Sequence, residues 1–218
     1  MKITVESPFI QAGIKATNML IVNFWMVVGC LPIVTAGASV TAAFSVMLKM
    51  AEDREDIGVT HAFWGAWVAN LKHGVLLTLG LALCVYSIWM NWQLFEKLPD
   101  NPVIFLIACF ALVLLTFVHF VYVFPLQARY ENGLLRQLCN SRLICIRFFV
   151  KTLMLLGILG IQVLLFCFTS PVLTYAGLFF APALAVYTTC QVIMPIFRTL
   201  EGNAMADDGI TISSERYW

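Results

Sequence analysis

From Thr152 to Phe197 the chain carries no Asp, Glu, Lys or Arg, a run of about 45 residues where one bilayer-spanning helix takes ~20. A charge at mid-bilayer costs about 3 kcal/mol on insertion scales, and a run this long exceeds what the core of a 218-residue soluble domain demands. The segment therefore crosses a membrane twice, and lipid is the solvent of this fold.

Three further charge-free stretches run from Ala16 to Leu48, Gly74 to Phe95 and Asn101 to Ala128. The first and last of the four are too long for one helix. Each is broken in its middle by a Pro-to-Gly segment, Pro32–Gly37 and Pro171–Gly177, where proline removes a backbone donor and glycine permits the turn. The reading is an all-α polytopic membrane helix bundle of about six hydrophobic helices: Asn18–Leu31, Ser39–Met50, Gly74–Phe95, Pro102–Leu126, Thr152–Thr169 and Leu178–Phe197. The second would cover only ~18 Å of a ~30 Å hydrocarbon layer, so it is short or re-entrant and shielded by its neighbours. Residues 1–201 form one transmembrane domain and 202–218 a short polar tail. Leu20–Leu31 with Ala36-Gly37-Ala38 imitates a signal peptide, but Glu6 precedes it and Pro32 interrupts it.

Hydrophobic residues make up 61% of the sequence, and the net charge of +1 argues against a generally basic nucleic-acid binder. The basic residues flank the apolar runs. With six crossings, all of Lys2, Lys15, Lys49, Arg54, Lys72, Arg129, Arg136, Arg142, Arg147, Lys151, Arg198 and Arg216 fall on one side and Lys97 alone on the other. That asymmetry places both termini in the cytoplasm. Seven cysteines without a CxxC pair read as small buried side chains rather than a disulfide or zinc framework.

Two segments between the spans are amphipathic. In Thr60–His73, Phe63, Trp64, Trp67, Val68 and Leu71 make an aromatic face suited to the headgroup boundary. In Arg129–Lys151, Arg129, Arg136, Asn140, Arg147 and Lys151 share one helical stripe, although Glu131 and Arg142 interrupt the apolar face opposite it. Such a stripe either meets anionic headgroups or docks a cytoplasmic partner, and the mixture of signs at Arg129, Glu131, Asn132, Arg136 and Arg147 makes these five the candidate docking residues.

Catalytic signatures are missing. Neither a Walker-type phosphate loop nor G-x-G-x-x-G, H-E-x-x-H or G-x-S-x-G occurs, and His61, His73 and His119 are isolated from one another. The expectation is a non-enzyme with no cofactor and no metal. The spans hold no acid; their polar groups, among them Asn23, Thr41, Thr78, Asn91, Gln93, His119, Gln162, Thr188, Thr189 and Gln191, suit either hydrogen bonds between helices or a path for a neutral solute. Gly177, Ala181, Ala185 and Thr189 recur every four residues and mark a helix-packing face, which Ala38, Ala42 and Val46 repeat on the short second helix.

Four stretches carry a family resemblance: Leu31-Pro32-Ile33-Val34-Thr35-Ala36-Gly37-Ala38-Ser39-Val40-Thr41-Ala42; Phe63-Trp64 with Asn70-Leu71-Lys72; Phe124-Pro125-Leu126-Gln127-Ala128-Arg129-Tyr130-Glu131-Asn132; and Pro195-Ile196-Phe197-Arg198. In this order they resemble the YesL-like family of bacterial integral membrane proteins. The resemblance implies a protein of the bacterial cytoplasmic membrane with no assigned catalytic or binding residue, often encoded beside ABC importers and hydrolases for oligosaccharides. Two functions follow as expectations: an accessory subunit of a carbohydrate ABC import system, contacting its permease and ATPase subunits, or a stand-alone carrier or channel for a small neutral solute.

Overall fold

The computed structural model describes residues 8–52, 58–98, 103–168, 177 and 180–202. Among them the chain is all-α, with six helices long and apolar enough to cross a membrane. In chain order these elements are α1 (Pro8–Cys30), a 3₁₀ turn (Ile33–Thr35), α2 (Ala36–Ala51), α3 (Val59–Lys97), α4 (Val103–Phe120), α5 (Val123–Arg129), α6 (Leu134–Arg147), α7 (Phe149–Phe168) and α8 (Ala181–Gly202).

The helix expected to be short is the centre of the bundle. Together with its 3₁₀ turn, α2 forms a 19-residue candidate span, Ile33–Ala51, and 67% of it is buried. It packs against α1, α3, α5 and α8. Small side chains allow this. Ala38, Ala42 and Ala43 have no exposed surface, and a Cβ on Gly74 of α3 would collide with the backbone N and Cα of Ala38. The two backbones touch there, as small-residue interfaces permit. Thr78 secures the contact: its Oγ1 accepts from the Gly37 N–H at 2.8 Å and donates to the Gly74 carbonyl at 2.8 Å. One of the orphan donors of the α2 N-terminus is thereby satisfied.

Thr60–His73 is not a separate interfacial helix. It is continuous with the third span in the 39-residue α3, whose buried residues Ala62, Phe63, Ala66, Asn70, Gly74 and Leu77 follow a three-to-four-residue spacing toward α2. Beyond Leu77 no residue of α3 is buried, which suits a helix whose second half meets lipid. The fourth span also differs from the expected Pro102–Leu126. It breaks at Val121–Tyr122, because Pro125 has no N–H to give Val121 and its ring crowds that carbonyl. The continuous stripe read over Arg129–Lys151 is likewise divided, into the end of α5, a turn, α6 and the start of α7.

The breakpoint Pro171–Gly177 and the polar tail past Gly202 lie, apart from Gly177, outside the described residues. Six cysteines are described as free thiols; Cys145 and Cys190 are buried, Cys30, Cys84 and Cys109 half-buried, and Cys139 exposed.

Candidate functional site

Seven residues long, α5 joins the other elements at one end of the bundle, and its side chains point two ways. Arg129, its last residue, turns toward α2 and α8. The guanidinium donates from Nε to Glu201 Oε1 at 2.8 Å, from Nη2 to Glu201 Oε2 at 3.3 Å, and from Nη1 to Glu52 Oε1 at 2.5 Å. Tyr130, with no exposed surface, donates its hydroxyl to Glu201 Oε1 at 2.6 Å. Burial and the Glu201 carboxylate both push the Tyr130 phenol well above its usual range, so the hydroxyl stays a donor. The Phe197 ring completes the enclosure: it stands edge-on to Tyr130 at 5.4 Å, with the guanidinium carbon 5.6 Å from its centroid.

The C-terminal ends of α2, α5 and α8 therefore meet in one ion cluster. These are the ends of the second, fourth and sixth candidate spans, and a chain that crosses alternately brings those three ends to one side.

On its other face α5 sends Gln127 toward α3. Asn70 Nδ2 donates to the Ala66 carbonyl at 2.8 Å, which leaves Asn70 Oδ1 to accept from Gln127 Nε2 at 3.2 Å. The same Nε2 lies 3.1 Å from His73 Nδ1, so that ring nitrogen accepts and the imidazole proton is assigned to Nε2. Gln137 of α6 extends the polar layer by donating to the Tyr130 carbonyl at 3.1 Å. Buried without a partner remain Gln127 Oε1 and Gln137 Oε1.

The five residues expected to dock a partner are divided by this packing. Arg129 and Asn132 turn inward, whereas Glu131, Arg136 and Arg147 are exposed. The expected packing stripe is divided too: Gly177, ahead of α8, and Ala181 and Ala185 on it are half-buried and Thr189 is buried, while the inward face of α8 is built by Ala183, Val186, Cys190, Ile193 and Phe197.

Most polar groups within the spans bond to their own helix. Thr41, Ser87, Asn91, Thr116 and Thr189 all donate to the carbonyl four residues back, and His119 Nδ1 lies 2.8 Å from the Leu115 carbonyl. Others join helices, as Thr78 does with Gly37: Asn23 Oδ1 accepts from the Ala183 N–H at 3.0 Å, Gln162 donates to Thr188 Oγ1 at 3.1 Å, and Trp67 Nε1 donates to Ser39 Oγ at 3.0 Å. Among the described residues no group of three or more His, Cys, Asp or Glu is placed to hold a metal ion.

Sequence reasoning found Arg129 but not Glu52 or Glu201, its partners 77 and 72 residues away. Asn70 and Gln127 stood in the motif stretches; only the structure brings them together.

A family described as a protein of unknown function, DUF624, matches residues 19–92, about a third of the chain, from within α1 to near the end of α3. Over that stretch the chain is similar to DUF624. No curated protein and no solved structure matches it.

Proposed function

We propose that the chain is a non-enzymatic subunit of a bacterial cytoplasmic membrane system, an accessory to an oligosaccharide ABC importer that docks the permease or ATPase through α6. The observation that supports this reading is the division of α6 into two faces. Gln137, Asn140 and Ser141 are turned inward, while Leu135, Arg142 and Ile146 are turned outward, Leu135 being 81% exposed. Arg136 and Arg147 flank that outward face, and Glu131 stands exposed just before the helix. Apolar groups among cations of one sign suit a headgroup layer; an exposed acid beside them suits a protein surface that pairs both signs. Oligosaccharide import as the system served rests on the YesL-like resemblance.

In this reading α6 and both termini are cytoplasmic, in keeping with the basic residues on the turns between spans. A stand-alone carrier for a neutral solute is less well supported, because most polar side chains of the spans are engaged by their own helix carbonyls rather than turned to a shared path. Purification in mild detergent tests the proposal. Co-elution with a permease and an ATPase is the expected result, and solute flux by the lone protein in liposomes would overturn it.

A further inference from the structure

A cavity of about 470 Å³ opens between α3 and the start of α6, lined by Lys72, His73, Leu76, Gly133, Leu134, Leu135 and Arg136. It is an open groove at the surface rather than an enclosed chamber, with Lys72, Leu135 and Arg136 exposed along it. Its walls are of two kinds. Lys72 and Arg136, both exposed, bring two positive charges from different helices to one opening. Leu76 and Leu135, 48% and 81% exposed, form an apolar flank.

The wall from α6 adds backbone donors. Gly133 caps the helix with no side-chain hydrogen bond, so the first-turn N–H groups of Leu134, Leu135 and Arg136 have no acceptor within the helix and carry the positive end of its dipole. Lys72 is the last charged residue before the charge-free run Gly74–Phe95, a position that suits the height where lipid gives way to headgroups. His73 forms the inner wall and is held by Gln127. The acid nearest in sequence, Glu131, lies before the helix and is not among the lining residues.

We infer that this cavity binds a phosphate group, held between the Lys72 ammonium and the Arg136 guanidinium over the first turn of α6. The chemistry is shared by an anionic phospholipid headgroup and by free phosphate. The apolar flank at Leu76 and Leu135 favours the lipid, whose acyl chains it would accompany. The site shares Leu135 and Arg136 with the face of α6 proposed to dock a partner, but the test below reads phosphate binding by the lone chain and so stands or falls without a partner.

The test measures retention of phosphatidylglycerol on the full chain in detergent by native mass spectrometry, with zwitterionic phosphatidylcholine, whose choline neutralises its phosphate, as the comparison and inorganic phosphate as competitor. Lys72→Ala and Arg136→Ala are each expected to weaken binding about fivefold while Lys72→Arg keeps most of it. Lys97→Ala, at the opposite end of α3, is expected to change nothing. Displacement by millimolar phosphate assigns the site to free phosphate; phosphatidylglycerol retention that resists it assigns the site to lipid. Equal weakening by Lys97→Ala, or binding of both probes unaffected by the two cavity variants, would overturn the inference.

Discussion

Arg129 grips both carboxylate oxygens of Glu201, from Nε at 2.8 Å and from Nη2 at 3.3 Å, and so ties the last turn of α8 to the last residue of α5. The pairing is bidentate, the geometry in which a guanidinium is most specific for a carboxylate. Glu52 occupies the remaining side of the same guanidinium, which brings in the end of α2. One side chain thus joins three helices whose sequence positions are far apart.

Removing that side chain leaves two carboxylates facing each other. Breaking a buried pair by deleting one partner costs about 3–5 kcal/mol, and the partial exposure of Glu52 and Glu201, 19% and 31%, puts Arg129→Ala at about 3 kcal/mol or less. Arg129→Lys keeps the charge but cannot reach both acids in the same way, so an intermediate loss is expected. Thermal aggregation of detergent-solubilised protein measures both. Were Arg129→Ala no worse than Arg142→Ala, the cluster would not be holding the helix ends.

Tyr130→Phe isolates one hydrogen bond to a charged acceptor while leaving the ring against Phe197. Its expected cost is about 2 kcal/mol. Because the phenol is held protonated well above its usual range, the difference between the two proteins should stay constant from neutral pH to mildly alkaline pH. A difference that disappears as pH rises toward the ordinary tyrosine range would show that the hydroxyl is not the donor to Glu201.

The touching backbones of α2 and α3 predict a sharp contrast between two glycines of one helix. Gly74→Ala drives a methyl group into the Ala38 backbone, which cannot yield as a flexible side chain would, and is expected to cost at least ~2 kcal/mol. Gly65→Ala meets nothing within 4 Å and is expected to be neutral or stabilising, since alanine is the better helix former. Equal thermal stability of the two variants would mean that α2 and α3 are further apart than described.

Charge-free runs made the membrane bundle legible, because lipid excludes charge whatever the packing inside. Helix joints were less so. Gly74 reads in sequence as the start of a span, yet it lies within α3, where its missing side chain serves Ala38 rather than a turn. The break before α5 was readable in principle from Pro125, but an apolar run masks it. Of the candidate site, the span end at Arg129 was visible as the place where charge resumes. Its inward direction was not, since periodicity places a residue on a face of its own helix without saying which distant acid lies opposite. The packing of α6 was concealed for a related reason: the first part of its buried face is polar, with Gln137, Asn140 and Ser141 ahead of Ile144 and Cys145, so hydrophobic periodicity marks it only weakly.

Topology is open to labelling. A cysteine placed at Leu98, after the end of α3, is expected to react with an impermeant reagent from outside intact cells, and the native Cys139 on the exposed face of α6 is expected not to. The reverse pattern would invert the bundle and remove α6 from the cytoplasm.

Docking through α6 is tested most directly by charge reversal on its outward face, scored by recovery of a partner from solubilised membranes. Arg142→Glu with Arg147→Glu, both exposed, should leave insertion and thermal stability intact while abolishing recovery of a co-purifying ABC component. Unchanged recovery of that component, together with unchanged oligosaccharide uptake by the cells, would contradict the accessory role.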